Sequence, residues 1–245
     1  MAATRNPVLS RTGFDEAYAE RGTGTMTLAG TVRKTFSLLA ITSAAMLYVW
    51  VGMPPIGLSE GMIYSLFIMG FIVGVGMLLY TSQHPEVAHI TGPIYALLQG
   101  LVLGALTLVV NAQYPGLPLQ AAVITVGILG VMLLAYRVGA IKATERFKTI
   151  VVSCTLGVFA FYCIAFVLQL VGITIPMLHE GGVIGIGFSL FVTVLAAFNL
   201  VLDFETIETG IGRAPAHFEW MAAFGLVVTL IWLYTEVLRL MRKLR

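Results

Sequence analysis

Residues Gly181–Glu208 read GGVIGIGFSLFVTVLAAFNLVLDFETIE, a long apolar run that ends in an asparagine and a carboxylate. A stretch of about 20 apolar residues is enough for a helix to cross the roughly 30 Å hydrocarbon core of a bilayer. The run therefore predicts a transmembrane helix that still carries Asp203 in its final turns. A carboxylate in hydrocarbon costs about 2.5–3.5 kcal/mol on insertion scales, so an intramembrane acid is a candidate functional residue by default.

The composition of the whole chain agrees with a membrane location. Of its 245 residues, 58% are apolar and only 11% are charged, and the mean hydropathy is +0.94. Soluble domains carry about a quarter of their residues as charged side chains. These values predict an all-α polytopic membrane protein with the lipid bilayer as its main partner. They leave no room for a soluble catalytic domain, and nothing in the chain indicates a nucleic-acid partner.

Seven apolar runs have the length that a membrane span needs. We therefore predict a seven-helix transmembrane domain over residues 36–245, preceded by a flexible N-terminal segment at residues 1–35. That segment lacks the apolar stretch of a cleaved signal peptide. Glycines spaced by four, such as Gly100 and Gly104, predict close helix packing. The predicted spans are Phe36–Met53, Met62–Tyr80, Pro93–Val110, Pro118–Tyr136, Thr149–Gly172, Gly181–Leu202 and Trp220–Met241.

The basic residues are distributed unevenly along the chain. They lie before the first span and in the loop between the fourth and fifth, which predicts a cytoplasmic N-terminus by the positive-inside rule. Seven crossings then place the basic C-terminus, with Arg239, Arg242, Lys243 and Arg245, on the opposite side. A last segment that turned back would remove this conflict. Its length favours a full crossing, and we predict one.

Several chemistries find no support in the residues. The four histidines have no histidine four residues further on, and Cys154 and Cys163 point to different sides of one predicted helix. Ser189 follows a Gly-Phe pair but has no histidine base inside any span. A retinal Schiff base needs a lysine inside the last span, and Lys243 lies only at its end. We therefore predict no metal, no cofactor and no enzymatic activity.

Only two acids, Asp203 and Glu236, are expected to be embedded in the membrane: Glu236 falls inside the seventh predicted span, and Asp203 directly follows the sixth. Asn199 lies one turn from Asp203 and extends a polar stripe on the sixth helix. Glu236 shares a face of the seventh helix with Thr229 and Arg239, and the spacing allows an i,i+3 ion pair with Arg239. Two simpler interpretations stay open. Asp203 can be a helix-end carboxylate that reaches water, and the Glu236–Arg239 pair can lie at the interface with the arginine extended outward.

Four segments of the chain resemble the bacterial branch of the Bax inhibitor family of membrane proteins. They are NPVLSRTGFDEAY (6–18), GPIYALLQGLVLGAL (92–106), FNLVLDFETIETG (198–210) and EWMAAFGLVVTLIWLYTEVLRLM (219–241). The resemblance covers nearly the whole chain. It implies a seven-helix bundle in which the C-terminal helix is central, and a location in the bacterial cytoplasmic (inner) membrane.

The resemblance also implies a function. In characterised relatives, two aspartates on the sixth and seventh helices share a proton and gate a pH-sensitive calcium leak. The first aspartate matches Asp203, whereas the second position holds Thr229, and the family's arginine matches Arg239. Gln99 stands where a glutamate is expected. The chain thus departs from the paired pattern, which leaves Asp203 to bond the Thr229 hydroxyl, and Glu236 as a more distant partner or ion ligand.

Three functions follow as hypotheses. The first, which we favour, is a slow leak for Ca²⁺ or H⁺ gated by protonation of Asp203, with Asn199, Thr229, Glu236 and Arg239 along the path. The second is a regulator that binds another membrane protein, such as a quality-control protease, through the N-terminal segment. The third is an intramembrane aspartyl protease using Asp203 and Glu236. It is disfavoured because two catalytic acids must share one proton at close range.

Overall fold

The computed structural model describes residues 24–52, 60–170 and 182–245, and these ranges are almost entirely helical. A 3₁₀ turn at Pro85–Val87 precedes α3. Within the described ranges no strand forms, apart from an isolated antiparallel bridge between Thr25 and Pro215. The helices are α1 (Leu28–Gly52), α2 (Glu60–Gln83), α3 (Ala88–Gln113), α4 (Leu117–Arg137), α5 (Glu145–Leu170), α6 (Val183–Gly210) and α7 (Phe218–Lys243).

Six of these helices are long and apolar enough to cross a membrane, which confirms the prediction of an all-helical membrane protein. The exception is α2, in which the described residues contain only a shorter apolar helix at Ile72–Gln83. The predicted second span, Met62–Tyr80, lies within α2. The count of seven membrane crossings therefore stays a prediction.

The helices extend beyond the predicted apolar runs at several ends. Helix α1 begins at Leu28 instead of Phe36, because Thr27 caps it by accepting a hydrogen bond from the Gly30 amide at 3.0 Å. Helix α6 continues past the apolar run to Gly210. Hydropathy detects the residues that match hydrocarbon, whereas helices continue into the headgroup region. Residues 1–23 of the predicted N-terminal segment lie outside the described residues.

Helix α7 is the most buried of the six candidate spans. Of its most apolar window 67% is buried, compared with 17% for α5. It packs against α1, α3, α4 and α6, whereas α2 packs against α3. Phe224, Val227 and Leu233 are fully buried on α7. The C-terminal helix thus supplies much of the core, as the resemblance implied, although an arrangement of six helices around it stays an expectation.

Two glycines set the close approach of α1 and α3. A Cβ at Gly100 would lie 2.5 Å from the Thr42 carbonyl oxygen, and one at Gly104 would lie 2.6 Å from the Val49 Cβ. No side chain larger than hydrogen fits at either place without separating the helices. The predicted role of this glycine pair in helix packing is confirmed.

The two ends of α7 lie on opposite faces of the bundle. Near its start, the Met26 amide donates to the Ala214 carbonyl at 2.8 Å, so the chain before α1 meets the α6–α7 loop. At its other end, Lys243 Nζ donates to the carbonyl of Gly185, at the beginning of α6, at 3.1 Å. The last segment therefore forms one continuous helix along the bundle, and its full crossing of the membrane stays a prediction.

Candidate functional site

Asp203 lies in the interface between α6 and α7. It stands seven residues before Gly210, about 10 Å from the end of α6 at 1.5 Å per residue. Its Oδ1 is 4.0 Å from the position that a Cβ would take at Gly225. Its Oδ2 is completely enclosed and has no hydrogen-bond partner among the described residues. The polar face of α6 therefore points into the protein at this position.

Thr229 is the side chain on α7 that lies next to the Asp203 carboxylate. It is 8% exposed, and its hydroxyl donates to the Gly225 carbonyl one turn earlier, at 3.2 Å. The hydrogen bond from the Thr229 hydroxyl to Asp203 that the sequence suggests stays a prediction. In the structure the hydroxyl proton is directed to the Gly225 carbonyl, and Asp203 Oδ2 has no donor among the described residues.

Asn199 does not extend the Asp203 stripe toward α7. Its Nδ2 donates to the Leu195 carbonyl at 2.9 Å and to Thr155 Oγ1 of α5 at 2.8 Å. The predicted polar stripe thus divides between two neighbours, Asp203 facing α7 and Asn199 facing α5. Asn199 connects two helices in the membrane, where interhelical hydrogen bonds between polar side chains hold helices together.

Glu236 forms the second acidic site, which lies toward the other end of α7. It is 1% exposed, and Arg239 Nη1 donates to its two oxygens at 2.8 and 2.9 Å. Tyr162 of α5 donates to Glu236 Oε1 at 2.9 Å and accepts from Arg239 Nη1 at 2.6 Å. The predicted i,i+3 pair is therefore confirmed. The carboxylate is buried, while the Arg239 side chain remains 31% exposed.

The two acids do not form a pair. Gly225 is level with Asp203, and Glu236 lies eleven residues further along α7, about 16 Å at 1.5 Å per residue. Glu236 is paired with Arg239 and Tyr162, and neither of these contacts Asp203. Two catalytic acids that share a proton must lie within hydrogen-bond range, so the described geometry gives the aspartyl-protease hypothesis no support.

Two groups of ion pairs lie at the Asp203 end of the bundle, and the sequence reasoning missed both. Lys148 of α5 contacts Glu205 at 2.6 Å and Glu145 at 3.0 Å. Close by, Tyr136 of α4 donates a hydrogen bond to Glu208. Beside these pairs is a cavity of about 330 Å³, lined by Lys148, Val152, Leu202, Glu205, Thr206 and Thr209. It opens next to the turn of α6 that carries Asp203.

The second group holds the start of α1 on the start of α7. Glu219 accepts hydrogen bonds from the Thr27 amide and hydroxyl, each at 2.8 Å, and pairs with Lys34 at 2.6 Å. Gly30 leaves the room that the Glu219 carboxylate fills. A glutamate three residues into a helix normally satisfies the cap amide, and here Glu219 does so from another helix.

Gln99, which occupies the place of an expected glutamate, also makes an interhelical bond. Its Nε2 donates to the Gly70 carbonyl of α2 at 3.0 Å. A neutral amide can make this bond, whereas an ionised glutamate has no proton to donate to a carbonyl. Among the described residues, no group of three or more histidine, cysteine, aspartate or glutamate side chains is placed to hold a metal ion.

Long apolar helices with acids buried between them define a polytopic helical membrane protein. The family model for Bax inhibitor 1 like proteins matches residues 6–245, which is nearly the entire chain. The chain therefore belongs to the Bax inhibitor 1-like family, as the sequence resemblance indicated. Comparisons with curated proteins and with solved structures found no match.

Proposed function

We propose that this protein is a pH-sensitive leak for Ca²⁺ or H⁺ in the bacterial inner membrane, with its N-terminus in the cytoplasm. Protonation of Asp203 is the gating event, and the protein performs no enzymatic reaction. The observation that carries the proposal is the enclosed, unpaired Oδ2 of Asp203 in the α6–α7 interface.

The ionised and neutral forms of Asp203 differ in how well this interface accommodates them. An enclosed carboxylate without donors is costly when ionised, because it has lost water and gained no compensating partner. The neutral acid fits the packed interface as it stands. We expect loss of the proton to draw water or a cation to the site, and the open cavity beside Leu202, the residue before Asp203, is a candidate entrance.

Thr229 makes this a switch that uses one proton. In the relatives, two aspartates share a proton, whereas a threonine hydroxyl does not titrate in the physiological range. It can rotate from the Gly225 carbonyl and donate to the ionised Asp203, which lowers the barrier to ionisation without adding a second charge. We therefore expect a shallow pH dependence, with a slope of about one proton.

The experiment measures Ca²⁺ and H⁺ flux into proteoliposomes from about pH 5 to pH 8 for wild type and Asp203→Asn. We expect wild-type flux to change with pH and the variant to lose that dependence, since an amide cannot release a proton. Glu208→Gln, an exposed acid on the same helix, is the matched control. Identical pH profiles for wild type and Asp203→Asn would contradict the proposal.

A second candidate function is regulation of another membrane protein, such as a quality-control protease. The observation that favours it is the attachment of residues 24–27 to the α6–α7 loop, through the Met26 and Gly212 hydrogen bonds. A partner bound to the N-terminal segment would thus pull directly on the two helices that hold Asp203.

Deletion of residues 1–20 tests this candidate because it keeps the docked residues 24–27. We expect the full chain, and not the truncated one, to co-purify with a membrane-embedded protease and to slow degradation of that protease's substrates. Equal co-purification and equal degradation rates with both forms would count against a role of the N-terminal segment.

A further inference from the structure

Two contacts fix the register of α6 against α7. Asp203 approaches Gly225 toward one end of the helix pair, and Lys243 Nζ donates to the Gly185 carbonyl at the other. Both contacts belong to one antiparallel register, in which Glu236 lies about 16 Å beyond the Asp203 level. The two acids therefore occupy two depths of the same interface.

Helix α5 joins this interface and adds polar side chains along its length. Val158, Leu195 and Trp232 belong to one apolar cluster and, by their positions on the three helices, separate the polar level at Glu236 from the others. We call this interface of α5, α6 and α7 the three-helix seam. Its polar contacts are Lys148–Glu205 at 2.6 Å, Thr155–Asn199 at 2.8 Å and Tyr162–Glu236 at 2.9 Å.

The level farthest from Asp203 contains a carboxylate, Glu236, that is already paired with a cation of the protein. Arg239 Nη1 lies within 2.9 Å of both Glu236 oxygens, which is the position that a bound metal cation would take. The Tyr162 hydroxyl completes the triad. Ser189 is level with Arg239 in the same register, and its buried Oγ has no hydrogen-bond partner among the described residues.

We propose that Tyr162, Glu236 and Arg239 form a second gate of the leak, in which the Arg239 guanidinium excludes a divalent cation from the Glu236 carboxylate. This inference rests on the proposed leak function. Without the guanidinium, the two oxygens of the Glu236 carboxylate are the type of ligand that Ca²⁺ prefers, and water can supply the remaining ligands. The Arg239 side chain is 31% exposed, so it can leave toward the membrane surface, as basic side chains near helix ends do.

The first test does not depend on transport. Purified Arg239→Gln is melted in detergent over a series of CaCl₂ concentrations, beside wild type and Arg242→Gln, which removes a cation from the same last turns of α7. We expect Ca²⁺ to raise the melting temperature of Arg239→Gln alone, by several degrees and with saturation, since a ligand that binds only the folded state stabilises it. The double variant Arg239→Gln/Glu236→Gln should lose the response.

A response in Arg239→Gln no larger than in Arg242→Gln would overturn the inference. If Arg239→Gln does not fold, Arg239→Lys carries the test. An ammonium is a point charge that cannot match the guanidinium's planar array of donors, so Ca²⁺ should compete at higher concentrations. Absence of any Ca²⁺-dependent shift in folded Arg239→Lys would then overturn it.

Flux measurements distinguish the proposed gate at Arg239 from the proposed leak that depends on Asp203. At one fixed pH, Arg239→Gln should pass Ca²⁺ several-fold faster than wild type, and Arg242→Gln should match wild type. If Asp203→Asn leaves the pH profile unchanged while Ca²⁺ still stabilises Arg239→Gln, the leak function fails and the cation site stands. If Asp203→Asn abolishes the pH dependence while Arg239→Gln changes neither flux nor melting, the gate alone fails.

Discussion

Asp203 and Glu236 are two acids in one helix interface, and they differ in their hydrogen-bond partners. Each lies seven residues from a helix end, Asp203 before Gly210 and Glu236 before Lys243, about 10 Å from that end. Glu236 accepts three hydrogen bonds from Arg239 and Tyr162. Asp203 has an oxygen with none among the described residues.

The difference shows how two carboxylates of one interface can take two roles. A carboxylate with a guanidinium and a hydroxyl as donors has its charge compensated, and removing one partner of such a pair leaves the other uncompensated. An ionised carboxylate oxygen that is enclosed without donors has nothing to compensate its charge. Glu236 is therefore suited to bind a cation, at present Arg239, and Asp203 is proposed to change its proton occupancy.

The largest expected effect separates the two acids by stability. Glu236→Gln leaves Arg239 without its counter-charge and should lower the free energy of unfolding by about 2 kcal/mol, a value below that for a fully buried pair because the arginine is partly exposed. Asp203→Asn removes no observed hydrogen bond to Oδ2 and should change stability little. Unfolding curves in detergent for both variants give the comparison, and equal losses would contradict it.

Tyr162→Phe reduces the pairing of Glu236 and keeps the ring over Arg239. We expect a loss of about 1.5 kcal/mol, the range for a hydrogen bond to a charged group. Tyr95→Phe is the matched control, because the buried Tyr95 makes a ring contact with Phe224 and no recorded side-chain hydrogen bond within the described part of the chain. A loss as large in the control would assign the effect to packing.

Thr229→Asp makes the Asp203 site resemble the paired site of the relatives. Two neighbouring carboxylates, one on α6 and one on α7, repel each other when both are ionised. We expect a loss of about 1 kcal/mol at pH 8 and almost none at pH 5. The pH profile of flux should also become steeper than in wild type. Thr229→Asn, which adds a polar group of the same size without a charge, should show neither change.

The smallest effect is expected at the exposed charges near Asp203. Lys148→Gln removes the contacts with Glu205 and Glu145, and Lys148 and Glu205 both remain partly exposed to solvent. Exposed ion pairs contribute little to stability because solvent and salt screen them. We therefore expect the smallest loss of the series here, and unfolding measured at low and high salt checks this expectation. A loss equal to that of Glu236→Gln would contradict the distinction between buried and exposed charges.

The features that the sequence predicts correctly are those set within one helix. Apolar run length predicts the six candidate spans, and the i,i+3 spacing predicts the Glu236–Arg239 pair. The position of Asp203 before a glycine predicts its depth in α6. These properties depend on helix geometry alone, which is nearly constant from one protein to another.

The features that the sequence does not predict depend on how helices rotate against each other. Tyr162 is one of several aromatic residues on α5, and nothing in its neighbourhood indicates that it faces Glu236. The same holds for the contact of Asn199 with Thr155. For Glu219, the acid stands in the first turn of a helix, and only the fold shows that it caps a different one.

The central claim is that Asp203 holds a proton in the packed state and releases it as the pH rises. Difference infrared spectroscopy between about pH 5 and pH 8, on wild type and Asp203→Asn in lipid, measures this directly. We predict a carbonyl stretch of a protonated carboxylic acid that disappears at the higher pH in wild type and is missing from the variant. The same titrating band in Asp203→Asn, or no such band in wild type, would contradict the account.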